Sequence, residues 1–384
     1  MKVRASILTG KNQPWQTEEI DVDEPHAHEV KVKVAWSGMC HSDEHLRTGD
    51  ISAPVEVLQA FGVDSMYPIV GGHEGSGIVE SVGDGVTAFA PGDKVAVSFI
   101  PACGTCHYCA TGRQYLCDLG MFTLAGPMMS DFTWRYHYNG QPLNRMTQLG
   151  SFAEYMVVNE SSLVKIDPES SLKAAALISC GISTGFGSAV DRAQVRPGEV
   201  VVVVGLGGVG SGAVQGARIA GAQAIIAVDP LEFKRESALQ IGATHVAASI
   251  EDALPLVQEL SRGRMADVVI LTPGRLTGDF TAAAQMVGGK DCRIVVTSIA
   301  PYDQSSTSLN LFNLAMFNQS VLGTVFGSYS PRVQVPRLLK LYDKGELHID
   351  EIITREYDLD SVNQGYIDLE DGKNVRGIVK VAGG

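Results

Sequence analysis

The order of apolar and polar residues changes character along the chain. From the first residue to about position 37 the two alternate, most regularly in Glu29-Val30-Lys31-Val32-Lys33-Val34-Ala35, which has the period of two of a strand with one wet face. Further strands are expected at 78–82 and 95–99, set off by the turn signals Gly83-Asp84-Gly85 and Pro91-Gly92-Asp93. The segment from Asp50 to Pro68 holds Pro54, Gly62 and an apolar patch at Val57, Leu58 and Phe61, and reads as a long loop with one helical turn. This half is therefore expected to form a small, antiparallel, glycine-punctuated β domain.

The pattern changes near Leu172. Ala174-Ala175-Ala176-Leu177 has helical propensity, and from Val200 onward buried strands alternate with helices. Short apolar runs at Val200–Val204, Ile225–Val228, Val268–Leu271 and Ile294–Thr297 are separated by helix-like stretches such as 208–220, 231–240 and 252–261. That alternation predicts an α/β unit, a parallel sheet with crossover helices. A helix at 333–344 and strand-like pieces close the chain, with no internal repeat or low-complexity segment.

Composition adds limits. A length of 384 residues suggests two domains of roughly 150 residues each. A net charge of -13 with no Lys/Arg-rich run argues against a nucleic-acid or anionic-membrane partner. The N-terminus lacks the apolar core of a signal peptide, and no uninterrupted apolar run approaches the roughly 20 residues of a membrane span, so the expected location is cytoplasmic. In that compartment the seven cysteines read as metal ligands or thiols rather than as a disulfide framework.

Candidate chemistry lies in three places. Cys103, Cys106, Cys109 and Cys117 fall within fifteen positions, the thiol set of a closed structural zinc site. His107 sits among them, but four sulfurs already fill the sphere, so it reads as a solvent-facing loop residue. Gly205-Leu-Gly207-Gly-Val-Gly210 follows a five-residue buried strand and opens a helix pattern. There the first glycine makes the turn, the second lets the backbone approach a pyrophosphate, and the third lets helix and strand pack closely. Asp229, nineteen positions past Gly210 at the end of the next apolar run, stands where an acid binds a ribose 2′-hydroxyl and favours NAD over NADP. Lys234 is within reach of the same ribose, and spacing alone equally allows a surface lysine. The third place is the octapeptide Gly38-Met39-Cys40-His41-Ser42-Asp43-Glu44-His45, which could ligate a metal, relay a proton or decorate a loop. Cys40 and Cys180 with one imidazole make a set known for catalytic zinc with an open position. Spacing does not assemble them, and buried thiols fit as well.

Taken together, Gly38–His45, Gly72-His-Glu-Gly75, Pro91-Gly-Asp-Lys-Val95, the Cys103–Cys117 cluster, Ser179-Cys-Gly-Ile-Ser-Thr-Gly185, Gly205–Gly210 and Gly372-Lys-Asn-Val-Arg-Gly377 resemble the zinc-containing medium-chain alcohol dehydrogenases. Within that family the chain is most similar to the actinobacterial NAD-dependent and nicotinoprotein (NDMA-dependent) type. The resemblance implies a GroES-like β-rich catalytic domain from 1–180 and 325–384, and a Rossmann doubly wound parallel-sheet coenzyme domain from 181–324. It implies two zinc ions and NAD. Cys40, His73 and Cys180 are then the catalytic zinc ligands with Glu74 close behind the metal, and Asp43 orients His73. Ser42 and His45 relay the proton. His41 and Arg376 meet the cofactor pyrophosphate, Asp229 and Lys234 the adenosine ribose. Thr184 packs near the nicotinamide, and Phe99 lines the substrate pocket beside Ser42.

The implied reaction is reversible oxidation of an alcohol to an aldehyde or ketone by hydride transfer to NAD. Three other readings share parts of this framework. They are a nicotinoprotein that keeps its NAD and passes electrons to an external acceptor, a thiol-adduct formaldehyde dehydrogenase, and a zinc-free non-enzymatic relative. Two stretches are longer than in many relatives. One lies between His45 and His73, and is expected over the mouth of the site. The other, 118–150 with Trp134, Tyr136 and Tyr138, resembles the dimeric branch and favours a homodimer over a tetramer. Cys292 matches no motif and reads as core.

Overall fold

The strand Glu29–Gly38 shows how the first unit is built. One edge pairs antiparallel with Glu74–Val82 along its length. The other is shared by Tyr155–Asn159 at its start and Arg376–Lys380 at its end. Alternation predicts Lys31 and Lys33 on a wet face. Lys33 is exposed, but Lys31 is buried, its ammonium 2.5 Å from Glu24. A buried ammonium needs such a partner.

The computed structural model describes residues 1–52, 54–60, 62–124, 126–276, 278–301 and 306–382; Phe61 of the apolar patch lies outside them. The chain divides into two units, one of Met1–Cys180, Ser330–Asp343 and Ile353–Gly384, the other of Gly181–Tyr329 and Lys344–Ile352.

Among the described residues the first unit carries a seven-stranded sheet, in which the strands Leu163–Lys165, Lys94–Val97, Glu74–Val82, Glu29–Gly38, Arg376–Lys380 and Ile353–Tyr357 follow one another and Tyr155–Asn159 branches off. A six-stranded sheet runs through Gln16–Val22 and Lys2–Leu8. Val3, Ile7, Ile20 and Val22 share one core with Val30, Val32, Val34, Val79 and Val95. This is mainly the antiparallel, turn-punctuated unit that the alternation predicts, with parallel pairing where Ile353–Tyr357 meets Arg376–Lys380 and where Ile69–Val70 meets Asn144–Arg145. Among the described residues of 50–68 there is one short helix, Val55–Ala60.

The second unit is a parallel sheet. Its order is His245–Ala247, Ala224–Val228, Val200–Val204, Ala266–Leu271, Gly288–Val296 and Ser320–Gly323. Strand order reverses on either side of Val200–Val204, the topological switch point where this fold binds its ligand. Helices Gly208–Ile219, Glu232–Gln240 and Ile250–Leu260 cross between strands. The sequence reading omits the two edge strands. His245–Ala247 and Ser320–Gly323 are short and only partly buried, so neither carries the Val/Ile run of a strand covered on both faces.

The helical stretch Leu172–Arg192 is long and apolar enough to cross a membrane, but 89% of its most apolar window is buried within the protein, as for a core helix. It tightens and loosens along its length, with π turns at Ile178–Ile182 and Ser188–Arg192.

Candidate active site and cofactor loop

The cysteine-rich loop is organised locally. Cys106 caps the short helix His107–Ala110, accepting from the Cys109 N–H. The backbone N–H groups of Cys103, Cys106 and Cys109 each lie 3.4 Å from a neighbouring sulfur, on Cys117, Cys103 and Cys106 respectively. All four Sγ atoms lie within 4.8 Å of one another, with Cys103–Cys109 at 3.9 Å and Cys106–Cys117 at 4.0 Å. Tetrahedral zinc with Zn–S bonds near 2.3 Å sets sulfurs about 3.8 Å apart, so the set fits the metal. No disulfide joins them. Burial raises the Cys103 thiol, but the Cys106 N–H and the Thr105 hydroxyl outweigh it and bring it to about 6. His107 is exposed and pairs with Arg113.

The second cluster is assembled by the fold. Cys40 closes the loop after Glu29–Gly38 and stands at the N-terminus of the helix His41–Thr48. This helix is absent from the sequence reading, although its signals are present: Asp43 and Glu44 in the first turn, His45 and Arg47 in the last, and Gly49 in the left-handed conformation beyond. His73 immediately precedes the strand Glu74–Val82, and register places Glu74 opposite Gly38. Cys180 comes from the π turn Ile178–Ile182, and the neighbouring Ser179 hydroxyl accepts from the Gly75 N–H at 3.1 Å. Ligand atoms of Cys40, His73, Glu74 and Cys180 all lie within 4.8 Å, and all four residues are buried.

Orientation of His73 is set from behind. Its Nδ1 lies 3.0 Å from Asp43 Oδ2, close in distance though bent in angle, and Asp43 Oδ1 accepts from the Gly72 N–H at 2.7 Å. Nε2 is thereby turned to the thiols, 3.5 Å from Cys180 Sγ. Burial disfavours the imidazolium, but the charges of Asp43 and Cys40 raise His73 well above its ordinary value. The Cys180 thiol donates to Cys40, which is held well below the ordinary thiol range against the cost of burial. Cys180 is correspondingly raised. Burial lifts the Glu74 carboxyl to about 7, opposed by Arg376.

Arg376, expected at a pyrophosphate, begins the strand Arg376–Lys380 and pairs with Glu74. Gly38 makes room for that pair, since a Cβ there would fall 2.0 Å from Glu74 Oε2 and 3.0 Å from Arg376 Nη2. Ser42 Oγ is 3.6 Å from Cys40 Sγ. His45 is buried, and its Nδ1 lies 3.1 Å from Asp50 Oδ2. Asp50 is a partner the sequence reading misses; the sole hint is an acid directly after the glycine that ends the histidine's helix. His41 lies on the same helix, its ring 6.4 Å from that of His45. Phe99 sets its ring edge-on to His73, with centroids 5.9 Å apart.

The second unit carries the glycine loop. Gly205 has φ +90°, and a Cβ there would lie 2.7 Å from the Pro273 nitrogen. At Gly210 it would lie 1.9 Å from the Gly205 carbonyl oxygen, while at Gly207 it would meet open space. The positions therefore divide as a tight turn, an open approach and a close helix packing. Gly207 caps the twelve-residue helix Gly208–Ile219, whose N-terminus favours an anion. Asp229 is buried, and its carboxylate accepts from the Leu206 N–H at 2.9 Å and the Leu231 N–H at 3.0 Å, bracing the loop. Lys234 is half-buried on the next helix, and Thr184 is buried in the helix Ser183–Gly187.

Known proteins are similar to this chain along its length. The family described as alcohol dehydrogenase GroES-like domain matches residues 26–168, and zinc-binding dehydrogenase matches 208–344. Alcohol dehydrogenase B of Mycobacterium tuberculosis is 44% identical over 380 residues, covering 99% of this chain and 98% of its own. An NDMA-dependent alcohol dehydrogenase of Amycolatopsis methanolica is 44% identical over 379 residues, 99% of each chain. The crystal structure of benzyl alcohol dehydrogenase from Acinetobacter calcoaceticus superposes with a TM-score of 0.88 at 29% identity over the whole of both chains. The chain belongs to the zinc-containing medium-chain alcohol dehydrogenases and is an oxidoreductase.

Proposed function

We propose that the protein oxidises an alcohol to an aldehyde or ketone with two zinc ions per chain and NAD. The observation that carries this reading is the convergence of two buried thiols and one imidazole, with a carboxylate fixing the ring so that Nε2 faces the sulfurs. Two thiolates and a histidine are a catalytic zinc set that leaves one position open, whereas the four thiols at Cys103–Cys117 fill theirs. Cys40, His73 and Cys180 would hold the catalytic zinc, which would supply Lewis acidity toward the alcohol oxygen, and the glycine loop with Asp229 would hold NAD, which would supply the hydride acceptor.

The remaining steps belong to side chains. Phe99 limits the space beside His73 and gives the substrate carbon an apolar wall. The Ser42 hydroxyl, next to Cys40, takes the alcohol proton and passes it toward His45, whose other nitrogen is held by Asp50. Glu74 and Arg376 neutralise each other behind the thiols. His45→Gln is expected to slow alcohol oxidation at neutral pH and to lose most of that defect under alkaline conditions, where hydroxide removes the proton. An equal defect at every pH would contradict the relay.

A second reading is favoured by the 44% identity to the NDMA-dependent enzyme over 99% of both chains. In it the NAD stays bound and an external acceptor takes the electrons. Purified protein, desalted and then denatured, would release about one NAD per chain in that case and essentially none if the cofactor exchanges freely.

A further inference from the structure

His73 Nδ1, Asp43 Oδ2 and Tyr366 Oη are buried polar atoms without a partner in full hydrogen-bond geometry, and Asp43 is the neighbour of both His73 and the tyrosine hydroxyl. Two are donors, and one is a carboxylate oxygen with two lone pairs. Asp43 Oδ1 is already engaged by the Gly72 N–H. We infer that Tyr366 is a positioning residue, its hydroxyl donating to Asp43 Oδ2 and fixing the carboxylate that in turn orients His73. This rests on the zinc reading above.

The packing supports the assignment. Tyr366 is 2% exposed and lies on the helix Val362–Glu370. Its ring stacks on Trp15 with centroids 5.5 Å apart and meets Phe152 edge-on at 6.3 Å. Trp15 and Phe152 in turn press on the backbone that leads into His73. A Cβ at Gly71 would fall 2.3 Å from Trp15, and one at Gly72 would fall 2.7 Å from the Phe152 nitrogen. The same helix also presents Gly365 to Met39, where a Cβ would lie 2.4 Å from the methionine methyl, and Met39 precedes Cys40. One helix thus backs two ligand-bearing segments. Burial keeps the tyrosine protonated, and the nearby Asp43 carboxylate acts in the same direction, so the hydroxyl can serve that carboxylate only as a donor. A phenylalanine would fill the same aromatic slot, so the hydroxyl adds something that stacking does not require. A buried hydroxyl without an acceptor costs stability; one that completes a carboxylate's shell holds it in place.

The experiment is zinc release from the purified holoenzyme into a chromogenic chelator, with Tyr366→Phe, Asp43→Asn and the double variant beside the wild type. Melting temperature shows that each is folded, and the Cys103–Cys117 zinc serves as an internal reference. Outer partners of metal ligands typically contribute about 10–100-fold in metal affinity, so Tyr366→Phe is expected to speed release from the Cys40 site by about tenfold and leave the slower zinc unchanged. In the Asp43→Asn background the same change should have no further effect. Release from Tyr366→Phe at the wild-type rate, or an undiminished tenfold effect without Asp43, would overturn the inference. A wild-type protein that holds only the Cys103–Cys117 zinc would instead overturn the zinc reading beneath it.

Discussion

The two sulfur clusters of the first unit are built by opposite means. Cys103, Cys106, Cys109 and Cys117 lie on one short loop whose own N–H groups point at the sulfurs, and two of the four are only half-buried. Cys40, His73 and Cys180 come from three distant points of the chain, are all buried, and are held by strand register, a π turn and a carboxylate behind the imidazole. The first cluster needs few long-range contacts to form, so it can serve as a staple. The second exists only once the β unit has folded, which couples its ligand positions to the helix His41–Thr48 that Cys40 caps. A closed local site suits stability, and an open site fixed by the whole fold suits catalysis.

The contrast breaks most sharply under cysteine replacement. Cys40→Ala should reduce alcohol turnover to background while the melting temperature stays near that of the wild type. Cys109→Ala should do the reverse, costing on the order of 4 kcal/mol of stability through loss of a structural metal while surviving folded protein retains its kcat. Activity assays on the soluble fraction together with thermal denaturation separate the two. A smaller test uses thiol chemistry in metal-stripped protein. With Cys103 brought to about 6, it is mostly thiolate at neutral pH, and its alkylation rate should fall as pH drops through about 6, because only the thiolate reacts. Cys292, pushed up to about 12 by burial, should resist the same reagent at neutral pH. Mass spectrometry after timed alkylation checks both. The smallest expected effect concerns the backbone before His73. Gly71→Ala places a methyl against Trp15 and should destabilise by about 1–3 kcal/mol through overpacking, with faster zinc loss from the Cys40 site alone.

The same division decides what the sequence makes legible. Spacing suffices for the local cluster and for the glycine loop, because in each the ligand-binding atoms lie within a few residues and the mechanism requires that spacing. The buried strands of the parallel sheet are equally plain, since burial on both faces leaves uninterrupted Val/Ile runs such as Val200–Val204. The cluster of Cys40, His73 and Cys180 is different. Cys40 and Cys180 carry no local sign of their partnership, and a family resemblance, not periodicity, joins them to His73. Tyr366 stays hidden for the same reason, brought in by the tertiary fold on the helix Val362–Glu370. Asp50 is local, five residues from His45, and stays hidden because the helix His41–Thr48 that turns the two together is itself absent from the alternation pattern. Lys31 shows the limit of alternation, which reports a strand but not what later covers its face.

Zinc content per chain separates the two clusters in a single measurement. Elemental analysis of purified wild-type protein should give two zinc atoms per chain, and Cys40→Ala should give one, held by Cys103, Cys106, Cys109 and Cys117. One zinc in the wild type, or loss of both from Cys40→Ala, would contradict the separation of a catalytic site from a structural one.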